Sequence, residues 1–424
     1  MDKLVFAHFM VGNTFPYTIQ EWQEDIEMAH ENNIDGFALN VGKETWQIER
    51  VADCFSAASR TKIPFQFFFS FDMSSILSEK KTDVQVLCTY IERFGKNERM
   101  LHYNHGLFVS TFSGEQSLFG HHTLDSAWIF VKERLSLAAQ SPIHYVPSLF
   151  IDPALYPEMR SLDGAFNWNG GWPVHLDSKS PCCEIECPAL ESDNEHIRRL
   201  KGRTFMSAVA PWFFTHYGVD SWNKNWIYRG DDWLFVRRWE QLVAMRDQID
   251  VVQVISWNDY GESHYIGPIK GTQPNSQKWV DGYPHNAWLK LTSYFSRAFK
   301  EGRYPKINKD QIFIWARPHS KHACASNDPV PRPKNWNLTD DKLWVVVLAK
   351  YPATVLMYGK SGVQVVDVLG GLTRLSRDLE PGDGSKVEMR RGEVLVAECS
   401  PSEFKFNEGQ PLVYNFNAYT AHSS

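Results

Sequence analysis

Residues 65–72 read Phe65-Gln66-Phe67-Phe68-Phe69-Ser70-Phe71-Asp72, a run of aromatic rings that ends on a carboxylate. A strand with one wet face would alternate polar and apolar residues. This one does not, so it predicts a strand buried on both faces, as in a parallel sheet covered by helices. The stretch that follows supports this, because residues 84–94 space their apolar positions as an amphipathic helix does. Working outward, the same pairing of apolar run and helical pattern recurs eight times between residues 3 and 302. The runs are 4–11, 35–41, 65–72, 106–112, 143–152, 163–168, 204–212 and 251–259. Helical patterns cover 19–32, 46–59, 84–94, 127–139, 195–200, 233–246 and 288–299, and Lys43-Glu44-Thr45 reads as a capping sequence before the second.

Eight such units predict an α/β fold, a (β/α)8 TIM barrel over residues 1–305. A doubly wound open sheet has the same local signature, and the count of eight favours the barrel. After Arg303 the texture changes to short apolar runs at 312–317, 343–349, 353–358, 363–368, 393–398 and 411–416. Turn signals such as Gly370-Gly371 and Pro381-Gly382-Asp383-Gly384 separate them. Residues 306–424 are therefore expected to form a C-terminal all-β sandwich domain. The short connection between the two predicts a shared apolar interface around Trp288 and Phe295.

The balance of 44 Lys+Arg against 50 Asp+Glu gives a net charge of −6, without the basic footprint that nucleic acid requires. No stretch of about 18 apolar residues occurs, so no membrane helix is expected. Met1-Asp2-Lys3 enters the first apolar run directly, without the apolar segment of a secretory signal. That predicts a cytoplasmic protein, or a secreted or cell-wall one if the chain is a mature form. The seven cysteines are odd in number and mostly scattered; Cys182-Cys183-x-x-x-Cys187 lacks the second pair that structural zinc needs.

In a parallel barrel the chemistry lies where the strands end. The candidates there are Asn40, Asp72, Asp152, Asn167 and Asn169, with Asn13 after the first run and His216 after the seventh. Each also has an ordinary reading as a helix cap or turn former. The strongest signal is Trp257-Asn258-Asp259-Tyr260-Gly261-Glu262-Ser263-His264, two carboxylates three residues apart at the end of an apolar run. Acetal cleavage uses such a pair, one acid to protonate the departing oxygen and one carboxylate to activate water or attack the anomeric carbon. Crowding two acids in a partly apolar mouth keeps one protonated. Trp168, Trp172, Trp212, His216 and Trp257 are expected to line one open cleft, with Tyr260 and His264 beside them. No G-x-S-x-G, G-x-x-x-x-G-K-[ST] or H-E-x-x-H occurs to anchor a serine hydrolase, P-loop or zincin reading.

Four segments in order, Ala7-His8-Phe9-Met10-Val11-Gly12-Asn13-Thr14, Asp35-Gly36-Phe37-Ala38-Leu39-Asn40, Phe69-Ser70-Phe71-Asp72-Met73 and Trp257-Asn258-Asp259-Tyr260-Gly261-Glu262-Ser263, resemble the fungal α-1,3-glucanases, or mutanases, of glycoside hydrolase family 71. The resemblance implies endo-hydrolysis of α-1,3-glucan with inversion, no metal or organic cofactor, and Asp259 and Glu262 as the catalytic residues. The expected partner is the polysaccharide alone, with no nucleic acid and no membrane, and the protein acting as a monomer. Glu262 is taken as proton donor and Asp259 as base, and an inverting pair should stand roughly 6.5 to 9.5 Å apart. Should they prove closer, Asp72 or Asp152 becomes the better partner. Two alternatives stand beside this: an endo-α-mannosidase, whose family carries a related W-N-E-W-x-E-G motif, and a non-catalytic glycan-binding barrel.

Overall fold

The computed structural model describes residues 2–423. All eight early runs form strands: β1 (Leu4–Met10), β2 (Gly36–Val41), β3 (Gln66–Asp72), β4 (Gly106–Phe112), β5 (Ile143–Tyr145), β6 (Gly164–Asn167), β7 (Thr204–Val209) and β8 (Val251–Val254). They pair in parallel in the order β5-β4-β3-β2-β1-β8-β7-β6, a curled, TIM-barrel-like sheet. At the two ends of that order, Asp163 N donates to Tyr145 O at 3.0 Å and Phe166 N to Pro147 O at 2.8 Å. The run 143–152 yields only three residues of strand because Pro147 has no N–H to give the ladder.

The longer helices are α1 (Ile19–Glu31), α2 (Gln47–Arg60), α3 (Gln85–Phe94), α4 (Leu124–Ala139), α5 (Ser192–Leu200), α6 (Leu234–Ala244) and α7 (Asn286–Glu301). Strand β3 shows why an unbroken apolar run was needed. Phe68 meets Phe6 of β1 and Phe108 of β4 at 4.9 and 4.7 Å. Its neighbours point the other way, Phe67 onto Phe55 of α2 at 5.1 Å and Phe69 onto Tyr90 of α3 at 5.4 Å. Both faces are thus inside the protein, and each fully buried ring contributes about 1.5–3 kcal/mol. Gly36 opens β2 because a Cβ there would collide with the Gln66 carbonyl oxygen of β3. Capping departs from expectation: α2 starts at Trp46 with no side-chain cap, whereas Thr18 and Glu21 form a reciprocal capping box at α1.

By contacts the chain groups into two units, one of residues 1–171, 190–209 and 241–257, the other of 172–189, 210–240 and 258–424. The first holds β1–β8. The second holds α7 and every strand after residue 310: β9 (Gln311–Ala316), β10 (Lys342–Ala349), β11 (Ala353–Gly359), β12 (Gly362–Val368), β13 (Gly371–Asp378), β14 (Val387–Arg391), β15 (Val394–Cys399) and β16 (Tyr419–His422). They make two four-stranded antiparallel sheets, ordered β13-β10-β9-β16 and β12-β11-β14-β15. Alternate residues of both, among them Ile312, Ile314, Val345, Val347, Val355, Met357 and Met389, join one buried apolar cluster. Within the same unit Trp288 of α7 meets Trp315 of β9 at 6.1 Å, and His285 bonds the Ala418 carbonyl at 3.0 Å.

After residue 310 three strands, β13, β14 and β16, escape the sequence pattern and one expected strand is absent. β13 carries Thr373, Arg374, Ser376 and Arg377, too polar for an apolar run, yet it pairs with all of β10. β14 ends in Arg390-Arg391 and was hidden for the same reason. Residues 411–416 form no strand, since the Pro411 and Leu412 carbonyls accept from the loop residues Ser326 and Asn327.

Candidate active site

After β8 the chain turns through Asp259-Tyr260-Gly261-Glu262, and that turn sets the acids. Asp259 Oδ1 accepts from Glu262 N at 3.2 Å, and Ser263 N donates to the Tyr260 carbonyl at 3.1 Å. Gly261 is required: a Cβ there would come within 2.5 Å of the Tyr217 hydroxyl. Tyr260 is buried, donating to the Pro268 carbonyl at 2.8 Å and accepting from Lys270 N at 3.0 Å, so it braces the loop.

The carboxylates converge on His264 and Lys224. Glu262 Oε1 accepts from Lys224 Nζ at 3.0 Å, its Oε2 lies 3.2 Å from His264 Nε2, and Asp259 Oδ2 lies 3.8 Å from the same nitrogen. Side-chain exposure of 18% for Asp259 and 20% for Glu262, against none for His264, leaves both acids open to a substrate. Burial pushes the Asp259 carboxyl above its ordinary range; His264 opposes this and the charge of Glu262 adds to it. Burial also acts to raise Glu262, but the His264 hydrogen bond and the Lys224 charge outweigh it and hold the group as a carboxylate, down at about 2. The surroundings thereby shift two neighbouring acids in opposite directions, the kind of split that acid–base work uses. The nearest ligand atoms of Asp259, Glu262 and His264 lie within 4.8 Å of one another, below the 6.5 to 9.5 Å expected of an inverting pair. Among the described residues these three are also the one grouping spaced to hold a metal ion, although the Lys224 ammonium on Glu262 works against a cation.

Rings enclose the cluster. Trp172 and Phe213 stand 5.5 and 5.9 Å from His264, and Tyr228 lies 4.5 Å from Phe213. Tyr217 packs against Gly261, its hydroxyl pushed up by burial and by the charges of Asp259 and Glu262. Lys224, Tyr217 and Tyr228 were not among the sequence candidates. Lys224 had one signal, a lone cation inside Trp222-Asn223-Lys224-Asn225-Trp226.

The expected open row of rings is corrected by burial. Trp172 is 3% exposed and donates to the Trp212 carbonyl at 3.0 Å; Trp212 is buried and donates to the Phe416 carbonyl at 2.8 Å. His216 is buried between Asn225 Oδ1 and Asp328 Oδ2, each at 2.8 Å. In the first unit Trp257 is fully buried, 5.1 Å from Phe37, and Trp168 packs on His8 and Phe112. The size of these rings favours burial, and Trp172 and Trp212 also place their indole N–H on carbonyls.

The strand-end residues of the first unit have local partners. Asn40 donates to the Ser70 carbonyl at 3.3 Å, and Asn167 donates to Ser192 Oγ at 3.0 Å and Asp193 Oδ1 at 2.7 Å. Asp72 Oδ1 accepts from Ser74 N at 3.1 Å, and the exposed Asp152 caps the following turn through Ala154 N at 2.8 Å. Asn167, Trp168 and Asn169 share a depression of ≈ 270 Å³ with Phe150 and His196.

Residues 1–424 match the profile of Glycosyl hydrolase family 71. The chain belongs to glycosyl hydrolase family 71. A relative in this family, the glucan endo-1,3-alpha-glucosidase of Schizosaccharomyces pombe, is 35% identical over 99% of this chain and 94% of its own. The ascus wall endo-1,3-alpha-glucanase of the same organism is 30% identical over 100% of this chain and 98% of its own. A mutanase of Penicillium rubens is 30% identical over 99% of this chain and 88% of its own. In fold, this family 71 chain is similar to the GH99 endo-alpha-mannosidase of Bacteroides thetaiotaomicron, with a TM-score of 0.51, 10% identity, and coverage of 71% of this chain and 99% of that one.

Proposed function

We propose that this chain hydrolyses internal α-1,3-glucosidic bonds of fungal cell-wall α-glucan. The observation that carries the reading is the convergence of Asp259 and Glu262 on His264 and Lys224, which shifts the two acids in opposite directions, in a chain whose full-length relatives are named for endo-1,3-alpha-glucanase activity. Asp259, whose protonated form burial favours, gives its proton to the departing glycosidic oxygen. Glu262, kept ionised by His264 and Lys224, acts on the opposite side of the acetal. This reverses the assignment expected from sequence, and the reason is electrostatic: the Lys224 ammonium bonds Glu262, and His264 stands closer to Glu262 than to Asp259.

The stereochemical course is a separate proposal. Family resemblance implies inversion, with Glu262 activating a water. One observation favours retention instead, namely the short spacing of the acids, which leaves less room for a water; the alternative partners expected for a closer pair, Asp72 and Asp152, each accept from a backbone N–H two residues on in a local turn. Incubation with insoluble α-1,3-glucan and with mannan, read by reducing sugar, tests the substrate. Products from glucan alone are expected; products from mannan alone, or binding without products, would each replace the reading. Proton NMR of the first-formed anomer then decides the course.

We also propose that residues 1–305 make a closed (β/α)8 barrel and 306–424 a β-sandwich. The bonds from Asp163 and Phe166 to the β5 segment support closure, and the single apolar cluster shared by the two antiparallel sheets supports the sandwich. Because α7 packs on β9, a chain ending at residue 305 should expose Trp288 and be insoluble. A soluble, active 1–305 fragment would argue for an appended module. For the compartment we propose a reducing cytosol; all seven cysteines are free thiols here, and titration of the denatured protein without reductant should find seven. One to three would mean disulfides and a secreted or wall-bound protein.

A further inference from the structure

The rings around Glu262 continue outward into a second concave site. Tyr228, in contact with Phe213 and 5.8 Å from Trp172, also lines a depression of ≈ 510 Å³ together with Trp226, His175, Asp177, Asn223 and Lys334. Three separated stretches build it. One is the loop 174–177. The second is a short antiparallel ribbon, Phe214–His216 with Asn225–Ile227. The third comes from the long connection between β9 and β10: Lys334 N donates to the Asn225 carbonyl at 3.0 Å and Ile227 N to the Lys334 carbonyl at 3.1 Å, which lays that connection along the ribbon. Asn335 then donates through Nδ2 to the Ile227 carbonyl at 3.3 Å. The ribbon is itself clamped, with Asn225 bonded to His216 and to the Pro331 carbonyl, and His216 bonded to Asp328.

The lining has a definite chemistry. Two half-buried rings, Trp226 and Tyr228, stand in its wall and supply apolar surface. An imidazole, a carboxylate, amides and an ammonium surround them and supply both donors and acceptors. An anion site would be lined by cations alone, and a purely apolar ligand would leave these polar groups unpaired. A pyranose, with apolar C–H faces and a rim of hydroxyls, satisfies both. Volume alone does not choose this place, since a larger depression of ≈ 850 Å³ beside α4 has no aromatic ring in its wall.

We propose that this depression is a glucosyl-binding subsite, displaced from the bond that breaks, and that Lys334 and Asn335 bring the C-terminal region into substrate binding. The inference rests on the α-glucanase reading and assigns part of the polymer a place to lie. It gives residues 306–424 a role beyond bracing.

The test uses the full chain and a ladder of α-1,3-gluco-oligosaccharides of increasing length. Lys334→Ala and His175→Ala are chosen because both side chains are exposed, so folding is spared. The expected result is a loss of kcat/KM that grows with oligosaccharide length, carried by KM, and reaches about tenfold on the longest members, the scale of one charge-assisted hydrogen bond. A loss independent of length, or no loss, overturns the subsite. Wild-type protein that cleaves no member overturns the activity reading instead. In that event calorimetric titration with the longest oligosaccharide still judges the subsite: weaker binding by the variants supports it, and equal affinity, or no binding by the wild type, overturns it.

Discussion

The polar residues that end β2, β3 and β6 and the carboxylates that follow β8 hold equivalent places in the strand–helix repeat, but they are engaged differently. Asn40 binds the carbonyl of the adjacent strand, Asp72 closes a turn two residues on, and Asn167 reaches the start of α5. Their partners are short-range or structural. Glu262 is instead held by a cation 38 residues away in sequence and by a buried histidine, while Asp259 beside it is driven towards its neutral form. A polar residue at a strand end is therefore weak evidence of chemistry by itself. What sets this pair apart from a capping carboxyl, and makes it a candidate for chemistry, is that ionisable groups of its neighbourhood shift it.

The largest effect that could break this contrast is on turnover. Asp259→Asn and Glu262→Gln should each lower kcat by about 10²–10⁴-fold, measured on soluble α-1,3-gluco-oligosaccharides with unfolding followed in parallel. Near-wild-type rates in either variant would move that residue to the structural class. Next in size is Trp172→Ala. With a ring packed on Phe213, Tyr228 and His264, its loss should cost about 3–5 kcal/mol of stability in denaturant unfolding. Weaker oligosaccharide binding with unchanged stability would instead make Trp172 a platform.

The pH profile sharpens the comparison further. Glu262 has a lowered folded pKa, so its carboxylate form and the stability that goes with it are present above its ordinary value and lost as pH falls through about 2. Lys224→Met removes one of the charges that depress it, so the acid limb of kcat/KM should move to higher pH. Asp259 must stay protonated to act, so activity should fall as pH rises through its raised pKa. An acid limb that does not move in Lys224→Met would separate the ion pair from catalysis. The smallest effect belongs to the capping class: Asp152→Ala should cost about 1 kcal/mol of stability, read by thermal unfolding, through the lost bond to Ala154 N.

What could be read in advance follows the range of the physics involved. Strands β1–β8 were legible because burial on both faces imposes an apolar run, a local property of the chain, and the boundaries differ mainly where a residue such as Pro147 interrupts the ladder. The two acids were legible because a single turn carries both. β13 was not, since its Arg374 and Arg377 lie in a polar segment whose strand character comes only from pairing with β10. The rings were misjudged as a group for a related reason: sequence shows that Trp212 and Trp257 are large, whereas burial depends on what surrounds them.

The amino-acid order by itself determined the eight buried strands, the all-β texture after residue 310 and the spacing of Asp259 and Glu262. Tertiary structure alone decided in which direction each acid is shifted, because that depends on Lys224 and His264 standing against Glu262, and Lys224 reaches it from another loop. It also decided that Lys334 lies beside the ribbon that carries Trp226. Charge and hydrogen bonding act across space over a few ångströms, and only folding sets which distant residues come that close.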